Sequence, residues 1–384
     1  MDEHGERAGP EGRKLRVGFD ARWYNDSGVG TYVAELLRAL AKQREIELIA
    51  YETPGNPVPT LDGQQATRSP LHAAKYSPAE QLQMARLCRK DRLDVFHSPF
   101  YIAPLAAPCP VVVTIHDLIP FLFSVYSWPK AAMVRGGYRM AVRKAAQIIT
   151  VSQTTARDMQ EILGVNPERI TAVLSAVDRQ RFHERKDGSE LKRLEQQFGV
   201  RPPYVVAASA RNWRTKNLPG ALQALQLARQ QSGVPFQTAV YGPVEGLNAA
   251  GGTGRWVDIN LRHTGYMASD DLGALFRHAA LFIMPSLYEG FGLPILEAMS
   301  CGCAVITSNC GSLAEVAGSG AQVFPPSEIS GMASAVCGLL CNPEVLSRWR
   351  VSALRRAAEF SWEKAARETI SVYYRVVKQT YGCS

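Results

Sequence analysis

The densest chemistry in this 384-residue sequence lies in one stretch, Pro285-Ser-Leu-Tyr-Glu289-Gly-Phe-Gly-Leu-Pro294-Ile-Leu-Glu297-Ala-Met-Ser-Cys-Gly302. The apolar run Leu281–Met284 reads as a strand, the glycines as a loop, and the residues from Pro294 to just before Gly302 as a helix. Glu289 then sits at the carboxyl end of a strand and Glu297 in the first turns of the next helix. Gly290 and Gly292 let backbone N–H groups approach a ligand closely, and a helix N-terminus beside them favours anions. Two carboxylates flanking such a loop suit a hydroxyl-rich ligand, since each accepts two hydrogen bonds from sugar or ribose hydroxyls. The same residues taken alone also fit a solvated loop acid and an ordinary acid at a helix start.

Three further groups are candidates. Ser209-Ala-Arg211-Asn-Trp-Arg-Thr-Lys216-Asn217 follows a predicted strand and precedes a helix starting near Leu218. Its cations are either surface charges or partners for a pyrophosphate. Thr114-Ile-His116-Asp117 ends a very apolar strand, where a lone His is usually structural. Asp20-Ala-Arg22 and Ser27-Gly28-Val-Gly30-Thr-Tyr32 follow the first strand. As a dinucleotide fingerprint Gly28-x-Gly30-x-x-Val33 fails, because its third Gly is missing and Asp20 lies too far upstream for a tight turn.

The elements that must position these groups alternate along the chain. Strands are predicted at Leu15–Asp20, Ile46–Tyr51, Asp94–His97, Val111–His116, Ile148–Ser152 and Ile170–Leu174, with helices such as Tyr32–Lys42 and Pro78–Lys90 between them. Ser77-Pro78-Ala79-Glu80 reads as a capping box. Alternation resumes with Tyr204–Ser209, Phe236–Tyr241, Thr264–Met267, Leu281–Pro285, Ala304–Thr307 and Gln322–Phe324, and closes with an amphipathic helix over Trp362–Lys378. Such alternation predicts two doubly wound α/β halves, with ligands at the carboxyl ends of the strands in a cleft between them. The expected boundaries are a disordered tail over 1–14, a first domain over 15–180, a charged linker over 181–203, a second domain over 204–360 and a closing helical segment over 361–384.

The wording of these segments resembles the family-4 glycosyltransferases, retaining enzymes of the GT-B fold. The E-x7-E signature with its E-G-F-G-L-P-x-L-E-A-M string carries the match, which runs from Leu15 to about Lys378. The resemblance implies two Rossmann-like domains facing a cleft, a C-terminal helix crossing back to the first, and a nucleotide-diphosphate sugar, GDP- or UDP-linked, as donor. It implies that Arg211 and Lys216 hold the diphosphate and that Glu297 holds the ribose. Glu289 and the stretch Gly290, Phe291, Gly292 and Leu293 would hold the sugar, with His116 on its distal hydroxyl. Gly28 and Gly30 would lie in a loop over the donor, and Gly265 and Tyr266 beside the base. Ala210 and Ala176 stand where relatives commonly have Gly. Ser312-Leu-Ala-Glu315 reads as a second capping box. The D-x-R opening and the P-S-L-Y-E-G-F-G-L-P wording look most like mannosyltransferases of polysaccharide assembly.

The bulk numbers exclude little but are consistent with this. The net charge is +8 and 46% of residues are hydrophobic, values ordinary for a globular enzyme with anionic ligands. The eight cysteines lack the spacing of zinc sites and read as reduced thiols in a cytoplasmic protein. No D-x-D triplet occurs, so no metal site and no cofactor are expected. Nor is nucleic acid an expected partner. The N-terminus has no apolar core of a signal, and Tyr101–Ile115 is too short and proline-broken to span a bilayer. A basic stretch over 130–144 is a candidate for peripheral contact with anionic membrane, where a glycan or lipid-linked acceptor would be met. An epimerase or phosphorylase of the same architecture would act without an acceptor or need inorganic phosphate. A non-catalytic sugar-binding derivative would have lost part of the Arg211, Lys216, Glu289, Glu297 and His116 set.

Overall fold

The computed structural model describes residues 13–24, 27–58, 61, 66–210 and 213–382, without the side chains of Ser27, Trp213 and Arg214. The chain divides into two units. One runs through Ser175 and regains the chain from Trp362 onward; the other spans Ala176–Ser361.

The first unit is built on seven parallel strands: β1 (Leu15–Asp20), β2 (Ile46–Glu52), β3 (Ala66–Pro70), β4 (Val95–Ser98), β5 (Val111–Ile115), β6 (Gln147–Thr150) and β7 (Ile170–Ala172). They lie in the order β3-β2-β1-β4-β5-β6-β7. The sequence moves outward from β1 through β2 to β3, then crosses to the other side of β1 at β4. The reversal opens a crevice between β1 and β4 at their carboxyl ends, the position where doubly wound sheets take ligands. Runs such as Val111-Val-Val-Thr-Ile115 are buried throughout because helices cover both faces. The closing helix Trp362–Tyr381 packs against the helix Ser27–Ala41, and its Tyr373 hydroxyl is 2.6 Å from His97 Nδ1 at the end of β4.

The second unit repeats the design with β8 (Tyr204–Ala208), β9 (Gln237–Tyr241), β10 (Leu261–Gly265), β11 (Leu281–Met284), β12 (Ala304–Ser308) and β13 (Gln322–Phe324). The order is β10-β9-β8-β11-β12-β13, again all parallel, with its reversal between β8 and β11. Its core on one face of the sheet joins Val205, Val240, Ile283 and Ile306 to the helices Leu218–Ser232 and Ile329–Cys341.

Several elements differ from the sequence expectation. The strand β3, Ala-Thr-Arg-Ser-Pro, has no apolar alternation to announce it, because it is a half-exposed edge strand. The strand predicted at Thr264–Met267 lies instead at Leu261–Gly265, since polar Arg262 and His263 occupy its middle. The charged stretch 181–203 is no linker. It contains the helix Glu190–Phe198, docked on the helix Ser269–His278 by charge pairing. There Arg277 Nη2 lies 2.6 Å from Glu190 Oε1, and Arg193 Nε lies 2.8 Å from Asp271. Gly28 and Gly30 lie in the first turn of the helix Ser27–Ala41, not in a loop. Most of the expected tail, residues 1–12, lies outside the described residues.

Candidate active site

The second unit gathers cation and carboxylates at its reversal point. Beyond β8 a short turn of helix, Trp213–Lys216, carries Lys216, and beyond β11 the loop carries Glu289. Lys216 Nζ lies 2.8 Å from Glu289 Oε1. That oxygen is buried and receives no well-directed hydrogen bond, so the contact is one of charge alone. An ion pair held only by charge can be exchanged for a better anion without breaking a directed bond.

Glu297 stands in the second turn of the helix Leu293–Ser300. Its carboxylate makes no hydrogen bond or ion pair with any described residue. Burial lifts its carboxyl to about 7, with nearby Lys216 pulling the other way. The Tyr241 hydroxyl at the end of β9 is pushed well above its usual range, first by burial and then by both Glu297 and Glu289. These four side chains therefore share one electrostatic environment. A largely buried carboxylate with no hydrogen-bond donor has its acceptor capacity open to a ligand.

The loop between the two acids is set by Gly292, whose φ of +99° starts the helix. A Cβ there would also stand 2.7 Å from Leu313 Cδ2. Neither Phe291 nor Gly292 donates its N–H to a described residue. The loop thus offers two backbone donors beside the helix N-terminus.

Neighbouring segments hold this loop from beneath. Asn217, at φ +49°, donates its amide to Pro285 O at 3.1 Å and to Pro326 O at 3.3 Å while accepting from Gly220 N. Leu287 N donates to Thr215 O at 2.7 Å. Thr307 Oγ1 donates to Met284 O at 2.9 Å, and Ser308 Oγ donates to Ser286 O. The expected capping box at Ser312 does not form, and Ser312 turns to the site instead. Both its N–H, at 3.1 Å, and its hydroxyl, at 3.0 Å, donate to Glu289 O. Gly311, at φ +59°, lets that turn come so near that a Cβ would be 2.6 Å from Glu289 O.

Other candidates are placed apart or differently. Gly265 ends β10 at φ +73°, its carbonyl accepting from Gly242 N at 2.8 Å, and Tyr266 beside it is 72% exposed. Leu293 is the first residue of its helix. Arg211 lies outside the described residues. In the first unit, His116 follows β5 with Nε2 2.8 Å from Pro99 O. A carbonyl only accepts, so Nε2 carries the proton and Nδ1 is an acceptor. Burial lowers His116 to about 4, so it is neutral at pH 7, and Tyr32 packs edge-on to its ring at 4.8 Å. Gly28 is exposed and Gly30 buried.

Arg22 of the D-x-R opening is not available to a ligand. It is fully engaged inside the unit, with Nε 2.8 Å and Nη2 2.7 Å from the two Asp20 oxygens and Nη2 2.6 Å from Glu80 Oε1. Ser77 caps the helix Pro78–Lys90 as expected, accepting from Glu80 N at 3.1 Å. The Glu80 carboxylate, however, accepts from Tyr76 N and from Arg22, so the reciprocal half of the box goes elsewhere.

Gly311 and Ser312 are the site residues that sequence reasoning missed. The signal is present, a Gly-Ser pair in the turn three residues beyond a strand, but it reads as helix capping.

Comparison with known proteins closes the assignment. The model of the family described as Glycosyltransferase Family 4 matches residues 27–181, and that described as Glycosyl transferases group 1 matches residues 202–342. O-antigen chain mannosyltransferase B of Escherichia coli is 27% identical over 375 residues, spanning 91% of this chain and 96% of that protein. The MMP alpha-(1->4)-mannosyltransferase of Mycolicibacterium hassiacum is 29% identical over 293 residues, 71% of this chain and 67% of that protein. Among solved structures, Anabaena HepE in complex with UDP-glucose superposes with a TM-score of 0.71 at 20% identity, covering 93% of this chain and 100% of HepE. The two matched families, the reversal-point site and the twin parallel sheets agree that the chain is a glycosyltransferase of the GT-B fold and belongs to the family-4 glycosyltransferases.

Proposed function

We propose that this glycosyltransferase moves a mannosyl group from a GDP- or UDP-linked donor to a glycan or lipid-linked acceptor, with retention and without a divalent metal. The carrying observation is the arrangement of Lys216, Glu289 and Glu297 at the β8–β11 reversal, where one cation and two incompletely satisfied carboxylates meet two open N–H donors. The mannosyl identity rests on the relatives named above, two of which are mannosyltransferases.

In this reading Glu297 accepts the ribose hydroxyls. Lys216 leaves Glu289 for the donor diphosphate, a stronger and doubly charged partner, and supplies the positive charge that a metal would otherwise provide. Arg211 is proposed to share that task. Glu289, released from Lys216, accepts sugar hydroxyls together with the N–H groups of Phe291 and Gly292. Gly265 and Tyr266 are proposed to border the base. His116, neutral with Nδ1 an acceptor, has the chemistry to take a hydrogen bond from a sugar hydroxyl. As the bond from C1 to the phosphate oxygen breaks, positive charge develops on the sugar and negative charge on the diphosphate, where Lys216 stabilises it. The acceptor hydroxyl attacks C1 and its proton passes to the departing phosphate oxygen, so no protein base is needed.

The test is an assay of nucleotide release and sugar transfer with GDP-mannose, UDP-glucose and their nucleotides, with and without EDTA. The product anomer would be read by NMR. Transfer from GDP-mannose that persists in EDTA and keeps the donor's anomeric configuration is the expected result. Inversion, or loss of transfer on chelation, would overturn the corresponding part of the reading.

A further inference from the structure

A cavity of about 540 Å³ lies in the second unit, at the end of its sheet away from Lys216 and Glu289. Pro203, Phe236 and Asn260 border it, and each is the residue that leads into β8, β9 or β10. The cavity therefore opens at the amino ends of these strands, whereas the candidate donor site lies at the carboxyl ends. The five residues of β8 put about 17 Å of sheet between the two. Its volume is that of a small-ligand pocket.

Three arginines line this cavity and no acid does. They come from separate elements: Arg201 precedes β8, Arg229 lies in the last turn of the helix Leu218–Ser232, and Arg262 is the second residue of β10. Phe198 and Phe236, with three prolines, supply most of the remaining wall. Arg229 donates to Val234 O at 2.7 Å and lies over the Phe236 ring, which fixes its fork while leaving further N–H groups open. Arg201 meets only Glu195, at 2.9 Å in an exposed pair of small energetic weight. The exposed Arg262 side chain makes no hydrogen bond or ion pair with any described residue. The rim is tied together by Gln237, which accepts from Arg201 N at 2.8 Å and donates to Gly199 O at 3.1 Å. A charge on the edge strand β10 also discourages strand pairing. That role, however, needs neither a cavity nor cations converging from two other elements.

We propose that this cavity is a second ligand site, for a ring compound carrying a phosphate monoester. Arg229 and Arg262 receive the phosphate, and the ring lies on the surface made by Phe198 and the prolines. A phosphate monoester offers three acceptor oxygens and up to two negative charges. Guanidinium forks from separate elements match that group better than they match a planar carboxylate. The half-buried Phe198 gives a ring an apolar face that free phosphate would leave unused. A sugar phosphate and a nucleoside monophosphate share this chemistry.

Calorimetric titration of the full-length protein tests this, with glucose 6-phosphate, guanosine monophosphate and inorganic phosphate as probes. At least one of the two ring compounds is expected to bind about tenfold more tightly than inorganic phosphate, and the tighter of them names the ligand class. Arg262→Ala, at an exposed position without a partner, should weaken that binding about tenfold with melting temperature retained. Arg262→Glu should abolish it, and Lys216→Ala should leave it unchanged. No binding of either ring compound would overturn the proposal and leave Arg262 as an edge charge. Wild-type affinity in both folded Arg262 variants would overturn it too. So would binding that Lys216→Ala removes and Arg262→Glu spares, because the ligand would then sit in the donor site. Inorganic phosphate binding as tightly as both ring compounds would overturn the part given to the ring. The Lys216 and Arg262 variants report on opposite ends of the sheet, so failure of this site and failure of the transfer reading are distinguished.

Discussion

Both units place a cation among carboxylates just beyond their first strand, and the two clusters have opposite character. Beyond β1, Arg22 is held by Asp20 and Glu80, and all three are buried. Trp23 Nε1 and Tyr76 N take up the remaining carboxylate capacity. Beyond β8, Lys216 meets Glu289 through charge alone, and the Glu297 carboxylate has no hydrogen-bond donor among the described residues. A saturated cluster organises the fold, because disturbing it leaves a bare buried charge. An unsaturated one at the same topological place is left open for a ligand. The residue types differ accordingly: the planar Arg fork matches two carboxylates at once, while the flexible Lys can change partners.

That comparison can be broken by four experiments. The largest effect is expected from Arg22→Ala, which strands Asp20 and Glu80 in the interior. It should destabilise the first unit by about 3–5 kcal/mol, seen as an early transition in urea unfolding. A normal unfolding curve would mean that this cluster is not the structural one. Next comes Lys216→Ala, expected to lower turnover by about 10²–10³-fold with little change in melting temperature. Near-normal turnover would remove Lys216 from the diphosphate.

Glu297→Gln follows, and its two effects have opposite sign. The folded carboxyl titrates at about 7, above its usual value, so it favours the fold at low pH and this contribution is lost as pH rises through about 7. The glutamine variant should therefore melt higher than wild type above pH 7, by at most about 3 kcal/mol, and no higher at pH 4. Donor affinity of wild type should rise as pH increases through about 7, where the acceptor carboxylate forms, and the variant should lack that inflection. Calorimetric titration with nucleotide at several pH values reads both. A flat wild-type profile would argue against Glu297 as the ribose acceptor. The smallest effect belongs to Ser312→Ala, which removes one of two donors to Glu289 O. It should cost about 1 kcal/mol, read as a several-fold loss of kcat with KM for the donor nearly unchanged. A pure stability loss would make Ser312 a fold residue only.

Much of the fold was legible because its signals are local. Apolar runs marked twelve of the thirteen strands, one of them displaced by three residues, and β3 was missed because a half-exposed edge strand needs no apolar pattern. The helix Glu190–Phe198 was hidden for a related reason. Its charges read as linker until Arg277, His278 and Asp271 arrived to neutralise them. That Arg22 of the D-x-R motif is saturated could not be read locally, because Glu80 brings its carboxylate from 58 residues away.

By itself the sequence determined the spacing of Glu289 and Glu297. A strand end, a glycine with positive φ and two turns of helix fix their separation through backbone geometry within one segment. The sequence likewise placed Lys216 and Asn217 after a strand and before a helix. Only the tertiary structure decided which of these groups stay open. Lys216 reaches Glu289 because β8 and β11 become neighbours, Ser312 reaches it because β12 packs beside β11, and Arg22 is closed off because the helix Pro78–Lys90 brings Glu80 to it. Whether a charged group is saturated depends on partners from other segments, and those are set by packing, not by the residue's own neighbours in the chain.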